Sequence, residues 1–349
     1  MEALDNLLQK FRRRPKDVVG VDMGATAVKA VRLRGSANGT ASVVAAGIMP
    51  LPSAENETDA QQEGKTPAPL SLNLPSKLRA RYACLAISGE HAIVKLLSFP
   101  GRFDAGNESR LVESLGVQDP DAYRIGYKLV REGHARTEAR VLGVAIPDEE
   151  AVRFLAPFET GLPAPFSMEI SGLAGLTAFA HGPLSKMDEE AAGLVDFGTT
   201  TTVVAFFHRQ TLALVRQFGI GTGALVSRVQ QSLGVDAETA QGIISDGAFD
   251  ISQTMLEVLS PLIKQVGVSR DFVERREDCR VQRVFISGSA AKSRDVIGEL
   301  RTALELDIEN WDPFDGLNVA DDAIPEQLKG QEWRFASAIG ACLGTFEEV

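Results

Sequence analysis

The chain has 349 residues, 44% of them hydrophobic, and a formal net charge of −11. This length exceeds what one core usually holds and suits two lobes, and no apolar stretch reaches the roughly 18 residues of a membrane span. The acidic balance argues against broad nucleic-acid binding, although backbone amides can still hold anionic ligands in an acidic protein. Cys84, Cys279 and Cys342 are scattered and form neither a disulfide framework nor a zinc spacing. The start lacks the pattern of a secretory signal, so a reducing, cytoplasmic setting is expected.

Residues 1–14 carry Leu4, Leu7, Leu8 and Phe11 at helical spacing, followed by Arg12, Arg13 and Arg14. The spacing predicts a short amphipathic helix, packed on the domain or a neighbour, or lying on a membrane surface. Strands are expected over 17–23, 27–34 and 41–48, with a hairpin turn at residues 35–39. Residues 52–78 are rich in Pro, Ser, Glu and Gln and read as a mobile loop. Strands resume in YACLAIS and HAIVKLLSF, from Tyr82 and His91. A helix near 107–116, strands YRIGYKLVR and ARVLGVAIP, and a helix over 148–159 outline a small inserted α+β unit. SMEI is expected to return to the first sheet, with GLAGLTAFAHG as the next helix.

A second meander is expected over 193–197, 201–207 and 211–217. GIGTG (219–223) then opens a helix with Leu225, Val229 and Leu233 on one face. Asp236 suits the N-cap of a helix over 237–245. Ser260 and Pro261 read as a cap and first-turn proline separating helices at 251–259 and 261–277. RVFISGS is expected as a strand, 292–305 as a helix, and EWRFASAIGACLGTF as a closing helix of small residues.

Two stretches repeat one device. Asp22-Met23-Gly24-Ala25-Thr26 and Asp196-Phe197-Gly198-Thr199-Thr200 each end an apolar, strand-like stretch and begin a three-strand meander. Each alone is an ordinary hairpin turn, but a pair can grip a phosphate chain from both sides. Glycine permits close approach, turn amides and hydroxyls donate to phosphate oxygens, and the aspartates can hold Mg²⁺ through waters. Lys29 lies on the outgoing strand of the first copy. Thr201 extends the second turn; Gly221 and Thr222 sit in the glycine-rich loop; Gly288, Ser289 and Ala290 end a strand before a helix, where an adenosine can lie.

In this order the chain resembles the actin-like ATPase superfamily and, within it, the PilM proteins of type IV pilus assembly. The resembling stretches are VVGVDMGATAVKAVRL, GLVDFGTTTTVVAFFHRQTLALVRQFGIGTG, VDAETAQ, LSPLIKQV, VFISGSAAK, WDPFDGL and FASAIGACLG. The resemblance implies a two-lobed α/β fold of duplicated ribonuclease H-like domains with a small α+β subdomain inserted in the first lobe. The expected divisions are an N-terminal helix at 1–16, a first lobe at 17–98 plus 164–190, an insertion at 99–163, a second lobe at 191–225 plus 281–330, a helical subdomain at 226–280, and a C-terminal helix at 331–349. Gly288-Ser289 stands where the superfamily carries Gly-Gly.

The resemblance also implies ATP and Mg²⁺ as ligands and a cytoplasmic scaffold peripheral to the inner membrane. Its implied partner is the N-terminal peptide of a PilN-like inner-membrane protein, seated in a groove lined from 92–99 and 123–130, with Phe99, Tyr123 and Ile125 as candidates. Pilus assembly ATPases and further copies of the chain are other implied partners; nucleic acid is not. The acidic net charge suits a basic peptide. Glu169 is the one carboxylate placed to orient an attacking water, so slow or absent hydrolysis is expected. Two other readings stay open. One is an FtsA-like or filament-forming actin homologue. The other is a small-molecule kinase, whose base would come from Asp104, Asp119, Asp121, Asp148 or Asp188.

Overall fold

The computed structural model describes residues 14–36, 40–51, 72–158, 161–188, 190–246 and 249–346. The expected N-terminal helix, the tip of the first hairpin and most of the 52–78 loop lie outside these residues. Strands β1 (Asp17–Met23), β2 (Val28–Gly35) and β3 (Ala41–Met49) form an antiparallel meander. Strand β4 (Tyr82–Ile87) adds to β1 in parallel. The chain then builds a separate three-stranded sheet from β5 (Ile93–Pro100), β6 (Tyr123–Arg131) and β7 (Glu138–Pro147), in the order β5-β7-β6. Helix α1 (Glu108–Leu115) packs Leu111 and Leu115 on that sheet, and α2 (Asp148–Leu155) leads out of it. Strand β8 (Ala164–Ile170) returns to pair with β4, and α3 (Ser171–His181) follows.

The second half repeats the plan. Strands β9 (Ala191–Phe197), β10 (Thr202–His208) and β11 (Thr211–Phe218) form the meander. Helices α4 (Thr222–Leu233), α5 (Ala237–Asp246) and α6 (Ser252–Glu277) precede β12 (Val281–Gly288), which pairs in parallel with β9. After α7 (Arg294–Leu304) come β13 (Asp307–Asn310) and the short β14 (Asn318–Val319), and α8 (Ala336–Phe346) closes the described chain. The sheet orders are β14-β3-β2-β1-β4-β8 and β11-β10-β9-β12-β13. Without β14, each reads as a meander joined to two parallel strands, so the repeated motif belongs to a repeated sheet.

Strands β1 and β9 are buried along almost their whole length, as centre strands covered on both faces must be. The small residues of α3 and α8 let these helices cross almost in contact: a side chain at Gly340 would run into the carbonyl of Ala174. Asp236 caps α5 as expected, accepting from the Thr239 amide at 2.8 Å. Two expectations are corrected. Leu233 is exposed at the end of α4, while Leu225 and Val229 are buried. The break at Ser260–Pro261 is absent, and α6 runs unbroken through Pro261. Leu259, Leu262, Ile263 and Val266 flank the proline and are buried. Their packing outweighs the local cost of about 3 kcal/mol of an interior proline, and Ser260 Oγ turns back to the carbonyl of Leu256 instead of capping a new helix.

Candidate functional site

Both Asp-x-Gly turns open onto one cleft of about 750 Å³ between the two large sheets. Asp22 ends β1 and Asp196 ends β9, and both are buried. Lys29 Nζ lies 3.0 Å from Asp22 Oδ2, and Ser171 Oγ donates to Asp22 Oδ1 at 2.9 Å. Ser287 Oγ donates to Asp196 Oδ1. Burial first, and then the charge of Asp22, push the Asp196 carboxyl up to about 6, against the pull of Ser287 and Lys29. The two carboxylates therefore repel each other across a site that a hydrated divalent cation would relieve.

The second turn is tightly braced. The Gly198 amide donates to the Thr201 carbonyl at 2.9 Å. The Gly198 and Thr199 carbonyls accept from the amides of Thr222 and Gly223 at 3.0 and 2.8 Å, tying the turn to the start of α4. Thr222 Oγ1 lies 2.6 Å from Ser289 Oγ, and Ser289 also reaches the Phe197 carbonyl through its amide, at 2.8 Å, and its hydroxyl, at 3.1 Å. Turn, glycine loop and the Gly288-Ser289 corner thus form one hydrogen-bonded rim. Gly288 sits at φ +77°, and a Cβ there would meet the Phe197 carbonyl. Gly288→Ala is expected to cost at least about 1 kcal/mol from the dihedral alone, read as a lower melting midpoint. An unchanged midpoint would contradict this.

Of the expected site residues, Asp22, Gly24, Ala25, Thr26, Lys29, Asp196, Gly198, Thr199, Thr200, Thr201, Thr222, Gly288 and Ser289 line the cleft. Gly221 caps α4 just behind the lining, and Ala290 is buried beneath the corner. Glu169 is elsewhere: it lines a second cavity, against Gly344. None of Asp104, Asp119, Asp121, Asp148 and Asp188 lines the cleft, and among its described lining residues Asp22 and Asp196 are the only carboxylates.

Sequence reading missed three features of the cleft. Besides the start of α4 (Thr222, Gly223) expected from the glycine loop, the first turns of α3 (Ser171, Gly172) and α8 (Ala336, Ser337) line it, so three helix N-termini converge there. Each brings the positive end of a helix dipole to the cleft, while the Thr222 and Gly223 amides of α4 are taken by the carbonyls of the second turn. Ser227 and Gln241 come from α4 and α5. Trp333 and Arg334 precede α8 and add a flat ring and a guanidinium.

The second cavity, about 840 Å³, is a mainly apolar groove between β6 and β7 of the small sheet and β8 and α3 of the first large sheet. Strands β6 and β8 are both sheet edges. Of the expected segments, residues 124–130 line the groove, extended by Arg131 and Glu132, but 92–99 do not. Phe99 is buried in the core beneath α1, and Tyr123 packs against that core; of the three candidates only Ile125 lines the groove. Its charged lining is Arg124, Lys128 and Arg131 against Glu132 and Glu169, so the chain's net acidity does not extend into it.

Residues 178–346 match the family model described as Type IV pilus assembly protein PilM. A solved structure, the PilM-PilN type IV pilus biogenesis complex, superposes with a TM-score of 0.78, at 19% identity over 96% of this chain and 100% of that one. Over residues 178–346 the chain is similar to PilM proteins. Its fold is the two-lobed actin-like ATPase fold. More distant structures are the actin-like protein of unknown function from Bacteroides thetaiotaomicron (TM-score 0.45, 8% identity, 94% and 96% of the two chains) and MreB 5 of Spiroplasma citri bound to AMPPNP (0.46, 11%, 95% and 96%). No curated protein matches the chain by sequence. No helix among the described residues is long and apolar enough to cross a membrane.

Proposed function

We propose that this PilM-like chain is a nucleotide-binding scaffold that holds Mg·ATP in the cleft and a PilN-like segment in the groove. One observation carries the nucleotide half: two Asp-x-Gly turns and three helix N-termini meet on a single cleft. Asp22 and Asp196 hold the magnesium through waters, which neutralises phosphate charge. The turns at Gly24–Thr26 and Gly198–Thr201, with Lys29, hold the phosphates. Thr222, Gly288 and Ser289 form the adenosine side, with Gly221 and Ala290 supporting it from behind. With Glu169 outside the cleft, no third carboxylate among the described residues is placed to orient a water, and turnover is expected far below roughly 1 per second. A phosphate-release assay checks this, and turnover above that rate would contradict a scaffold.

The partner half rests on the groove and on the solved relative, which is a complex of PilM with PilN. An extended segment entering between two open sheet edges can pair its backbone with one of them and seat alternate side chains in apolar pockets. The partner is then a membrane-anchored protein with a short cytoplasmic tail, and the scaffold is peripheral to the inner membrane. Leu129 is exposed on β6, so Leu129→Asp should leave the fold intact. It is expected to weaken capture of such a tail peptide by about tenfold or more, measured by fluorescence anisotropy. Equal affinity would remove the groove from the account.

A further inference from the structure

The cleft holds a cation that lacks a counter-charge. Its charged lining among the described residues is Asp22, Asp196, Lys29 and Arg334. Lys29 is held by Asp22 at 3.0 Å. Arg334 makes no ion pair among the described residues. Its Nη1 donates to the neutral Gln331 Oε1 at 2.9 Å, and its guanidinium carbon stands 6.0 Å from the centre of the Trp333 ring. Most of the guanidinium fork is thus left without an acceptor among these residues. The group is half-buried, and burial lowers its pKa with no anion to offset the lost hydration.

The backbone donors nearby are largely spent. The amides of Gly198, Thr222 and Gly223 bond to carbonyls of the second turn, and the Ser289 amide bonds to Phe197. Arg334 stands on a helical turn (Glu332–Phe335) directly before α8. The first turn of α8 comes close to the second carboxylate: Ser337 Oγ and Asp196 Oδ2 lie 4.0 and 3.7 Å from the point where a Cβ on Gly175 would stand. A free guanidinium, a helix N-terminus and a carboxylate suited to a hydrated cation therefore share one cleft. A phosphate chain carrying its own magnesium satisfies all three.

Resting on the nucleotide reading above, we propose that Arg334 binds the phosphate chain of the nucleotide through its guanidinium fork. Affinity then follows the phosphates of a ligand more than its base. The test is a calorimetric titration of the full chain with adenosine, with Mg·ATP and with magnesium tripolyphosphate, which carries phosphates and no base. Arg334→Gln is expected to weaken both phosphate ligands about tenfold or more and to leave adenosine unchanged. Arg334→Lys keeps the charge without the fork and should recover part of the loss. Melting midpoints equal to the wild type's in the absence of ligand show that the fold is kept. Undiminished affinity of Arg334→Gln for both phosphate ligands would overturn the inference and leave the nucleotide reading standing. An equal loss for adenosine would overturn it too, because Arg334 would then shape the cleft rather than meet the phosphates. Tripolyphosphate that binds through Arg334, with no binding of ATP to the wild type, would sink the nucleotide reading and keep the anion site. Binding of neither to the wild type would sink both.

Discussion

An Asp196→Asn variant is expected to be more stable than the wild type at pH 8 without magnesium, and to have lost magnesium-dependent nucleotide binding. The Asp196 carboxyl is buried and raised from an ordinary 3.8 to about 6. A carboxyl raised on folding favours the protonated native state. Its contribution is fully present below pH 4 and is lost as pH rises through about 6. The shift corresponds to about 3 kcal/mol between those limits. Wild-type stability should therefore fall between pH 4 and pH 7 and then level off, while the variant should lack this slope. Asparagine keeps an oxygen to accept the Ser287 hydroxyl but carries no charge to repel Asp22 or to hold a cation. Thermal unfolding across this pH range in EDTA reads the effect. Parallel curves for the two proteins would show that Asp196 is not ionised under strain.

The second large effect lies far from the cleft. Arg140 on β7 is buried and pairs with Glu277 at the end of α6, which also lies 4.0 Å from His208 on β10. Nearby, Arg276 donates to Ser98 on β5 at 3.2 Å. These contacts fasten the small sheet, one wall of the groove, to the second half of the molecule. Arg140→Ala leaves Glu277 largely buried without its main partner, and a loss of about 3 kcal/mol is expected. Arg140→Met combined with Glu277→Leu removes both charges and should recover most of it. Denaturant unfolding of the single and double variants decides the matter, and a double variant as unstable as the single one would contradict the charge argument.

Much of the fold was legible in the sequence because its signals are local. Strand β9 reads as a strand from its apolar run, and Asp236 reads as a cap because one side chain and one amide settle it. The repeated Asp-x-Gly turns announced the two halves for the same reason. What was missed depends on distant residues. Pro261 looks like a helix start until the buried side chains on both sides of it are seen to share one core. Glu169 sits at the right strand end, yet it lines the groove together with Met168, because the packing of β8 against the small sheet, not its place in the chain, decides which cavity it meets. Trp333, Arg334 and Gln241 reach the cleft only through the packing of α5 and α8, and no spacing along the chain announces that. The groove's charge could not be read from a net charge of −11, because a site answers to its own lining.

The central claim is that two related turns hold one magnesium nucleotide between them. The most direct measurement is a calorimetric titration of ATP into the purified full chain, with magnesium and again with EDTA. The account predicts one site per chain, binding that needs magnesium, and no heat of binding with Asp196→Ala. The absence of binding to the wild type in magnesium, or equal binding in EDTA, would contradict it.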